Sequence, residues 1–223
     1  MSNDSKLTTQ NSRLLIKVCG MRDPENIDRV CEAGTDYLGY IFQRESSRYV
    51  GKEPDQSIFD RVPSHIRKVG VFVNEEQELL IRLCRRHGLV AAQLHGNETP
   101  LFCRAVKNNG LTVIKAFSLH DTFDFRLLES YVPTADYFLF DTRGKLRGGT
   151  GIKFDWKILD RYHSSVPFFL SGGIGPDDAA ELKKLKHPGL FAIDVNSSFE
   201  IQPALKDAAA VKRFIGEIKK RNV

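Results

Sequence analysis

Eight short apolar segments recur along this chain, and their spacing constrains the fold more than any other feature of the sequence. They are rich in Val, Ile, Phe and Leu and alternate little with polar residues, which is typical of strands buried on both faces of a parallel sheet. We therefore predict eight parallel strands. They lie at Leu14 to Cys19, Tyr37 to Phe42, Val69 to Val73, Val90 to Leu94, Thr112 to Phe117, Tyr137 to Phe140, Phe168 to Leu170 and Phe191 to Val195.

The stretches between these strands carry apolar residues at helical spacing, as in Glu75 to His87 and Pro176 to Leu185. Helix-start signals occur at Asp23-Pro24, Asn97-Glu98 and Gly175-Pro176,. The strand-helix alternation predicts an α/β fold, a single (β/α)₈ TIM barrel with its active site at the C-terminal ends of the strands. A doubly wound open sheet is the alternative, but it would more often have fewer strands, and no G-x-G-x-x-G motif follows the first strand.

The length and composition agree with one barrel. The chain has 223 residues, 41% of them hydrophobic and 27% charged, and α/β barrels commonly form one domain of roughly 200 to 250 residues. We predict a frayed polar leader at residues 1–13 and a single catalytic domain at 14–223. The glycine-rich connection from Asp141 to Trp156 predicts a mobile loop of the lid type,.

Several classes of protein are excluded by what the sequence lacks. The formal net charge is +5, but no basic stripe interleaved with aromatics points to nucleic acid. No apolar run approaches the roughly 18 residues of a membrane helix, and the polar N-terminus does not resemble a signal peptide. Cys19, Cys31, Cys84 and Cys103 are widely spaced without a C-x-x-C pair. We therefore expect a cytoplasmic protein with reduced thiols.

Polar or reactive residues follow most of the predicted strands. Because the carboxyl ends of barrel strands converge on one face, we expect these residues to form the functional site. They are Cys19 after the first strand, Gln43 through Arg48 after the second, Asn74 after the third, His95 after the fourth, Asp141 after the sixth, Ser171, Gly172 and Gly173 after the seventh, and Asp194, Asn196, Ser197 and Ser198 at the eighth.

The loops after the last two strands favour a phosphate group as ligand. Glycines at 172 and 173 let the backbone approach an anion and direct N–H groups toward it, and the 196–198 segment offers further donors,. A phosphate site after strands 7 and 8 recurs in barrels of this kind. The sequence therefore predicts a small phosphorylated substrate.

Two residues are candidates for proton transfer. Cys19 ends the first strand, where it could act as base or nucleophile if nearby positive charge lowers its pKa, although a lone cysteine is more often structural. Asp141 closes an apolar strand, where a partly desolvated carboxyl group suits a general acid, and a capping role is about equally compatible.

Two further residues have less specific signals. Arg48 could bind a carboxylate with its planar fork, although an exposed loop arginine is the default. His95 could be a ligand or an acid, but without partners at metal spacing it is more often a hydrogen-bonded pocket residue.

Together these segments resemble one enzyme family. The matching stretches are Lys-Val-Cys-Gly-Met at 17–21, Ser-x-Arg-Tyr-Val at 46–50, Val-Gly-Val-Phe-Val-Asn at 69–74, Gln-Leu-His-Gly at 93–96, Phe-Asp-Thr at 140–142, Gly-Gly-Thr-Gly-x-x-Phe-Asp-Trp at 148–156, Leu-Ser-Gly-Gly at 170–173 and Asp-Val-Asn-Ser-Ser-Phe-Glu at 194–200. In this order, at strand ends, they resemble the phosphoribosylanthranilate isomerase family of tryptophan biosynthesis from about Ile16 to the C-terminal helix.

The resemblance implies an Amadori rearrangement of N-(5-phosphoribosyl)anthranilate to 1-(2-carboxyphenylamino)-1-deoxyribulose 5-phosphate. It implies that Asp141 is the general acid, that Cys19 is the general base and that Arg48 holds the anthranilate carboxylate. The loops at 171–173 and 196–198 would hold the phosphate. His95 and Asp194 match the family pattern without a defined role, and no metal or other cofactor is required. A monomer or a homodimer is expected.

This chain departs from the family pattern at a few positions. Arg22 stands where the family usually has threonine, Ser47 where it has proline, and Ser198 where it often has glycine. Because serine disfavours positive φ, Ser198 puts the detail of phosphate binding in question.

Other functions remain as alternatives. Indoleglycerol-phosphate synthase would need a Lys and Glu set near the first strands, and ribulose-phosphate 3-epimerase a metal site of His and Asp. Neither set is apparent. A catalytically silent barrel that binds a sugar phosphate is a further alternative, against which the pair Cys19 and Asp141 argues.

Overall fold

The eight predicted strands form a closed barrel in the computed structural model, which describes residues 14–142 and 156–220. Every strand runs parallel to the next, and the eighth pairs with the first, which confirms the predicted fold. The strands are β1 Leu15–Cys19, β2 Tyr37–Ile41, β3 Arg67–Phe72, β4 Ala91–Leu94, β5 Thr112–Leu119, β6 Tyr137–Thr142, β7 Phe168–Ser171 and β8 Leu190–Val195.

Helices connect the strands on the outside of the barrel. The α-helices are α1 Pro24–Glu32, α2 Ser57–Asp60, α3 Gln77–His87, α4 Pro100–Asn108, α5 Ala179–Leu182 and α6 Ala208–Lys219. Shorter 3₁₀ segments lie at Phe125–Tyr131, Trp156–Arg161, Pro176–Asp178 and Ser197–Phe199, and a small hairpin, β9 Glu200–Gln202 and β10 Leu205–Lys206, precedes α6.

The predicted helix starts are partly right. Asp23 caps α1 by accepting a hydrogen bond from Asn26 N, with Pro24 at the start of the helix,. The start predicted at Asn97-Glu98 is two residues early, because Thr99 is the cap of α4. Glu98 is instead buried, where it pairs with Lys115 at 3.2 Å.

The helix predicted from Pro176 to Leu185 is also interrupted. Pro176–Asp178 forms a 3₁₀ turn, and only Ala179–Leu182 continues as an α-helix. The Asp178 side chain accepts a hydrogen bond from Gly175 N, so the segment begins as a compact turn after β7. A local capping contact therefore shapes this segment more than its apolar spacing does.

The apolar core has two layers, because alternate strand residues point to opposite faces. One layer lies between the strands and the helices and contains most of the large buried side chains. The other lies inside the barrel and consists of Tyr37, Val69, Ala91, Ile114, Ala116, Leu139, Phe169 and Ala192, with Leu15, Tyr137 and Phe191 packed against them.

Aromatic rings fill the amino end of the barrel interior. Tyr137 and Phe191 lie with ring centroids 4.4 Å apart, and Tyr37 contacts Phe169 edge-on at 5.5 Å. Such rings exclude water and pack firmly. The barrel interior is therefore filled at this end, and polar groups face solvent from the opposite, carboxyl end.

Two of the predicted segments lie wholly or partly outside the described residues. The polar leader at 1–13 lies outside the described residues, and so do positions 143–155 of the predicted lid loop. Among the helices that are described, none combines the length and apolar character needed to span a membrane.

Gly39 in β2 leaves no room for a side chain inside the barrel. A Cβ at this glycine would lie 2.8 Å from Cys19 Sγ, 3.1 Å from Cys19 Cα and 3.1 Å from Lys17 Nζ. One of these atoms belongs to the backbone of the paired strand β1. A side chain here would therefore push two strands apart.

We expect Gly39→Ala to destabilise the protein by about 1–3 kcal/mol through overpacking. Urea unfolding followed by circular dichroism measures this change. The matched control is Gly216→Ala in α6, where a new Cβ meets nothing within 4 Å and should stabilise the helix by roughly 0.5–1 kcal/mol. Equal effects of the two substitutions would contradict this account of Gly39.

Candidate active site

A cavity of about 460 Å³ opens at the carboxyl ends of the barrel strands. Cys19, Arg48, His95 and Asp141 line it, as do all the candidates predicted after the seventh and eighth strands, whereas Asn74 and residues 43–47 are not among the lining residues. The lining comprises Cys19, Ile41, Arg48, Val71, Gln93, His95, Asp141, Ser171, Gly172, Gly173, Ile174, Asp194, Asn196, Ser197 and Ser198.

Strand alternation explains why polar residues meet in this cavity. Inside the barrel, the apolar residues Phe169, Ala192 and Leu139 are each followed two positions later by a polar one. Residues two apart on a strand share a face, so Ser171, Asp194 and Asp141 also point inward, one layer nearer the carboxyl end. The cavity floor is thus the last inward layer of the barrel.

Cys19 lies on this floor and is buried. Burial raises the pKa of its thiol above the ordinary value of 9.0, and this outweighs the opposing influence of the nearby ammonium groups of Lys17 and Lys206. The sequence left open whether positive charge would lower this pKa. In the structure desolvation dominates, and the thiol is protonated near neutral pH.

Lys17 lies directly beneath the thiol and was not singled out from the sequence. It is two residues before Cys19 on β1, fully buried, and donates a hydrogen bond to Asp194 Oδ1 at 2.9 Å. Burial alone would lower the pKa of Lys17, but the Asp194 carboxylate more than compensates and raises it. A charged residue inside an apolar strand was the signal available in the sequence.

Asp141 lies within β6 rather than after it, and it is 7% exposed. Its Oδ2 is 3.7 Å from His95 Nε2. Gln93 Nε2 donates to His95 Nδ1 at 2.9 Å, so the Nε2 nitrogen carries the proton that faces Asp141,. His95 is therefore a hydrogen-bonded pocket residue whose second nitrogen is directed at a carboxyl group.

Gln93 was also missed by sequence reasoning. It is 2% exposed, and its Oε1 accepts no hydrogen bond in the part of the chain that the structure describes. A buried amide oxygen without a partner is costly. The Oε1 atom is itself enclosed, so the described contribution of Gln93 to the site is the hydrogen bond that orients His95.

Arg48 reaches the cavity from the loop after β2, but its fork already holds a carboxylate. Nε and Nη2 donate to the two oxygens of Glu200 at 2.8 and 2.5 Å. Sequence reasoning gave Glu200 no role, although it closes the 194–200 stretch. A carboxylate ligand would therefore meet Arg48 on the edge that Glu200 leaves open.

The loops after β7 and β8 lie side by side. Gly172 and Gly173 have φ of 96° and 67°, a region that only glycine adopts readily,. A Cβ built on Gly175 would lie 3.8 Å from Ser198 Cβ, so the two loops are within contact distance. Residues of both loops thus border the cavity.

The serine at 198 causes no backbone strain. In the described ranges, the non-glycine residues with positive φ are Asn74 and Ala204. Ser198 lies instead in the 3₁₀ turn Ser197–Phe199. The departure from glycine at this position is therefore compatible with the loop conformation.

Fold and cavity together define the class of protein: a (β/α)₈ barrel whose ionisable and polar side chains meet in a cavity at the carboxyl ends of its strands. A family model described as N-(5′-phosphoribosyl)anthranilate (PRA) isomerase matches residues 16–217. The chain belongs to this family of aldose-ketose isomerases.

Curated relatives carry the same description. The N-(5′-phosphoribosyl)anthranilate isomerase of Phocaeicola vulgatus is 45% identical over 208 residues, which cover 93% of this chain and 99% of the relative. That of Parabacteroides distasonis is 43% identical over 206 residues, covering 92% and 93%.

Solved structures agree with the fold. The phosphoribosyl anthranilate isomerase of Thermotoga maritima superposes with a TM-score of 0.81 at 33% identity, covering 92% of this chain and 98% of that one. A second such isomerase, in complex with reduced 1-(o-carboxyphenylamino)-1-deoxyribulose 5-phosphate, superposes with a TM-score of 0.79 at 31% identity, with the same coverage.

We expect Cys19 to be a neutral thiol in the free protein, because burial raises its pKa. The ultraviolet absorbance of thiolate, taken as the difference between the unsubstituted protein and Cys19→Ser, should be absent up to about pH 9 and grow above it. A thiolate signal that titrates on the acidic side of that value would contradict this assignment.

Proposed function

We propose that this protein converts N-(5-phosphoribosyl)anthranilate to 1-(2-carboxyphenylamino)-1-deoxyribulose 5-phosphate, with Asp141 as general acid and Cys19 as general base. The observation that carries the proposal is that a thiol and a carboxyl group, both buried, line one cavity from β1 and β6. Two strands, β7 and β8, separate them along the barrel wall. The thiol and the carboxyl group would therefore contact a substrate that lies between them from two sides.

Asp141 acts first in the proposed mechanism. It donates a proton to the ribose ring oxygen while the bond from that oxygen to C1′ breaks. The lone pair of the anthranilate nitrogen forms the C=N bond of a Schiff base. The His95 N–H directed at Asp141 at 3.7 Å suits the carboxylate that remains, because it can stabilise negative charge there.

Cys19 acts second, and its thiolate form removes the proton from C2′. The electron pair of that C–H bond forms a C1′=C2′ bond while the π pair of the C1′=N bond returns to nitrogen, which gives an enolamine that tautomerises to the aminoketose. Burial favours the neutral thiol in the free protein, so the reacting thiolate is the minor form, and the Lys17 ammonium beneath it stabilises the negative charge on sulfur. The Lys17–Asp194 pair thus fixes the position of the positive charge beside the proposed base.

The remaining residues hold the substrate in this proposal. Arg48 binds the anthranilate carboxylate, and the glycines at 172 and 173 bind the phosphate together with the 196–198 segment. Asp194 Oδ1 is occupied by Lys17, so its Oδ2 is the oxygen proposed to accept a hydrogen bond from a ribose hydroxyl. His95 contributes an N–H donor. These steps involve neither a metal nor a nucleotide cofactor.

We also propose a cytoplasmic location and a monomeric or homodimeric state. The cysteines Cys19, Cys31, Cys84 and Cys103 are all free thiols, which suits a reducing compartment and a thiol base. One solved relative is described as monomers generated from the dimeric enzyme of Thermotoga maritima. Sedimentation of this protein at several concentrations distinguishes the two states.

We expect Cys19→Ser and Asp141→Asn each to lower kcat by roughly 10² to 10⁴, because each removes a proton-transfer group. The assay follows the fluorescence of the anthranilate adduct, formed in situ from anthranilate and phosphoribosyl pyrophosphate with a transferase. Cys31→Ser on the outer helix α1 is the control and should retain turnover within about twofold. Near-normal kcat in either site variant would remove that residue from the mechanism.

We expect Arg48→Ala to raise KM with a much smaller change in kcat, because the residue binds a part of the substrate that does not react. The same fluorescence assay over a range of substrate concentrations separates the two constants. Unchanged KM and kcat would exclude Arg48 from substrate binding.

A further inference from the structure

We propose that Glu200 is a positioning residue: it orients the Arg48 guanidinium to receive the anthranilate carboxylate, and Lys206 holds Glu200 in place. The inference rests on the carboxylate-binding role proposed above for Arg48. It assigns functions to two charged side chains of the β9–β10 hairpin that do not themselves line the cavity.

The contact between Arg48 and Glu200 defines the orientation of the guanidinium plane. Two parallel hydrogen bonds, from Nε and Nη2 to the two carboxylate oxygens, fix both the position and the rotation of the group,. The remaining edge is formed by Nη1 and Nη2. Apart from Glu200, the described contact of that edge is the exposed Ser47 hydroxyl, 3.5 Å from Nη1.

Glu200 is itself firmly held. Its side chain is 5% exposed, and its Oε1 accepts hydrogen bonds from Lys206 Nζ at 2.6 Å and from Ala204 N at 3.1 Å. Although burial acts in the opposite direction, Arg48 and Lys206 together lower the pKa of Glu200. The carboxylate therefore stays ionised and is held by donors from Arg48, Lys206 and Ala204.

Lys206 anchors this arrangement to the barrel. Its backbone N donates to Asn26 Oδ1, and its backbone carbonyl accepts from Asn26 Nδ2, both at 2.8 Å. These two bonds tie β10 to α1. The Glu200 carboxylate is therefore fixed by the fold rather than by Arg48, which is the order of dependence that a positioning role requires.

The same lysine connects the carboxylate end of the site to its phosphate end. Lys206 Nζ also donates to Asn196 Oδ1 at 2.6 Å, which turns the amide N–H₂ of Asn196 the other way. Gly20 makes room for both groups, because a Cβ there would lie 2.7 Å from Arg48 Cδ and 2.9 Å from Asn196 Oδ1. One buried ammonium group thus orients residues at both ends of the cavity.

The charges of Arg48, Lys206 and Glu200 together favour an anionic ligand. Arg48 and Lys206 share the single carboxylate of Glu200, so the three side chains together carry one positive charge. A carboxylate that enters beside Arg48 would neutralise it without displacing Glu200. The opposite possibility is that Glu200 competes with the substrate for Arg48, and the two possibilities predict opposite changes in KM.

The test is Glu200→Gln, which keeps the shape but places an N–H₂ group against donors. We expect KM for N-(5-phosphoribosyl)anthranilate to rise about tenfold, the scale of a charged hydrogen bond, while kcat falls less than about threefold. For the analogue made from aniline and ribose 5-phosphate, which lacks the carboxylate, both constants should be unchanged. A fall in KM would show competition and overturn the proposal.

A double-mutant cycle tests whether Glu200 acts through Arg48. In an Arg48→Ala background, Glu200→Gln should not raise KM further, because the group that it orients is gone. Additive effects, or equal losses on the two substrates, would indicate a general structural role and contradict the inference. Asp124→Asn is the control, since it breaks a comparable carboxylate fork on exposed Arg126, remote from the site, and should change neither constant.

A second variant covers the case in which Glu200→Gln does not fold. Glu200→Asp keeps the negative charge but retracts it by one methylene from Arg48, and the same rise in KM on the carboxylate-bearing substrate is expected. If the unsubstituted protein does not turn over N-(5-phosphoribosyl)anthranilate, the proposed function is wrong. If it does and Glu200 variants keep a normal KM, only this inference is wrong.

Discussion

Closure of eight parallel strands into a barrel is the constraint on which the rest of this structure depends. Closure gives every strand an inner and an outer face, so each second residue must fit inside a narrow cylinder. Aromatic rings fill the amino end, and polar side chains form the last inward layer at the other end. The site therefore has a packed floor and opens at the carboxyl ends of the strands.

Buried charge is the second organising feature of the carboxyl end. Lys17 is paired with Asp194, its neighbour across the closing seam between β1 and β8. Glu200 is paired with Arg48 and Lys206. Burying a charge without a partner is costly, so these contacts hold their groups in fixed places. The proposed thiol base lies beside one such pair, and the proposed carboxylate-binding arginine belongs to the other.

Much of the fold and of the site could be predicted because the signals are local. Apolar segments show where strands lie, and residues at strand ends identify the mouth of a barrel, as for Cys19 and His95. Lys17 and Glu200 escaped prediction for a different reason. Their importance lies in partners distant in the chain, and Lys17 and Asp194 are 177 residues apart.

The sequence by itself determined the strand count, the parallel barrel, the family and the set of candidate residues, because periodicity and short motifs are properties of neighbouring residues. Only the tertiary structure decided how those residues act on one another. It showed that burial outweighs two nearby ammonium groups at Cys19 and that Glu200 occupies one edge of Arg48. Desolvation and ion pairing depend on distances across the barrel, which follow from closure and not from position in the chain.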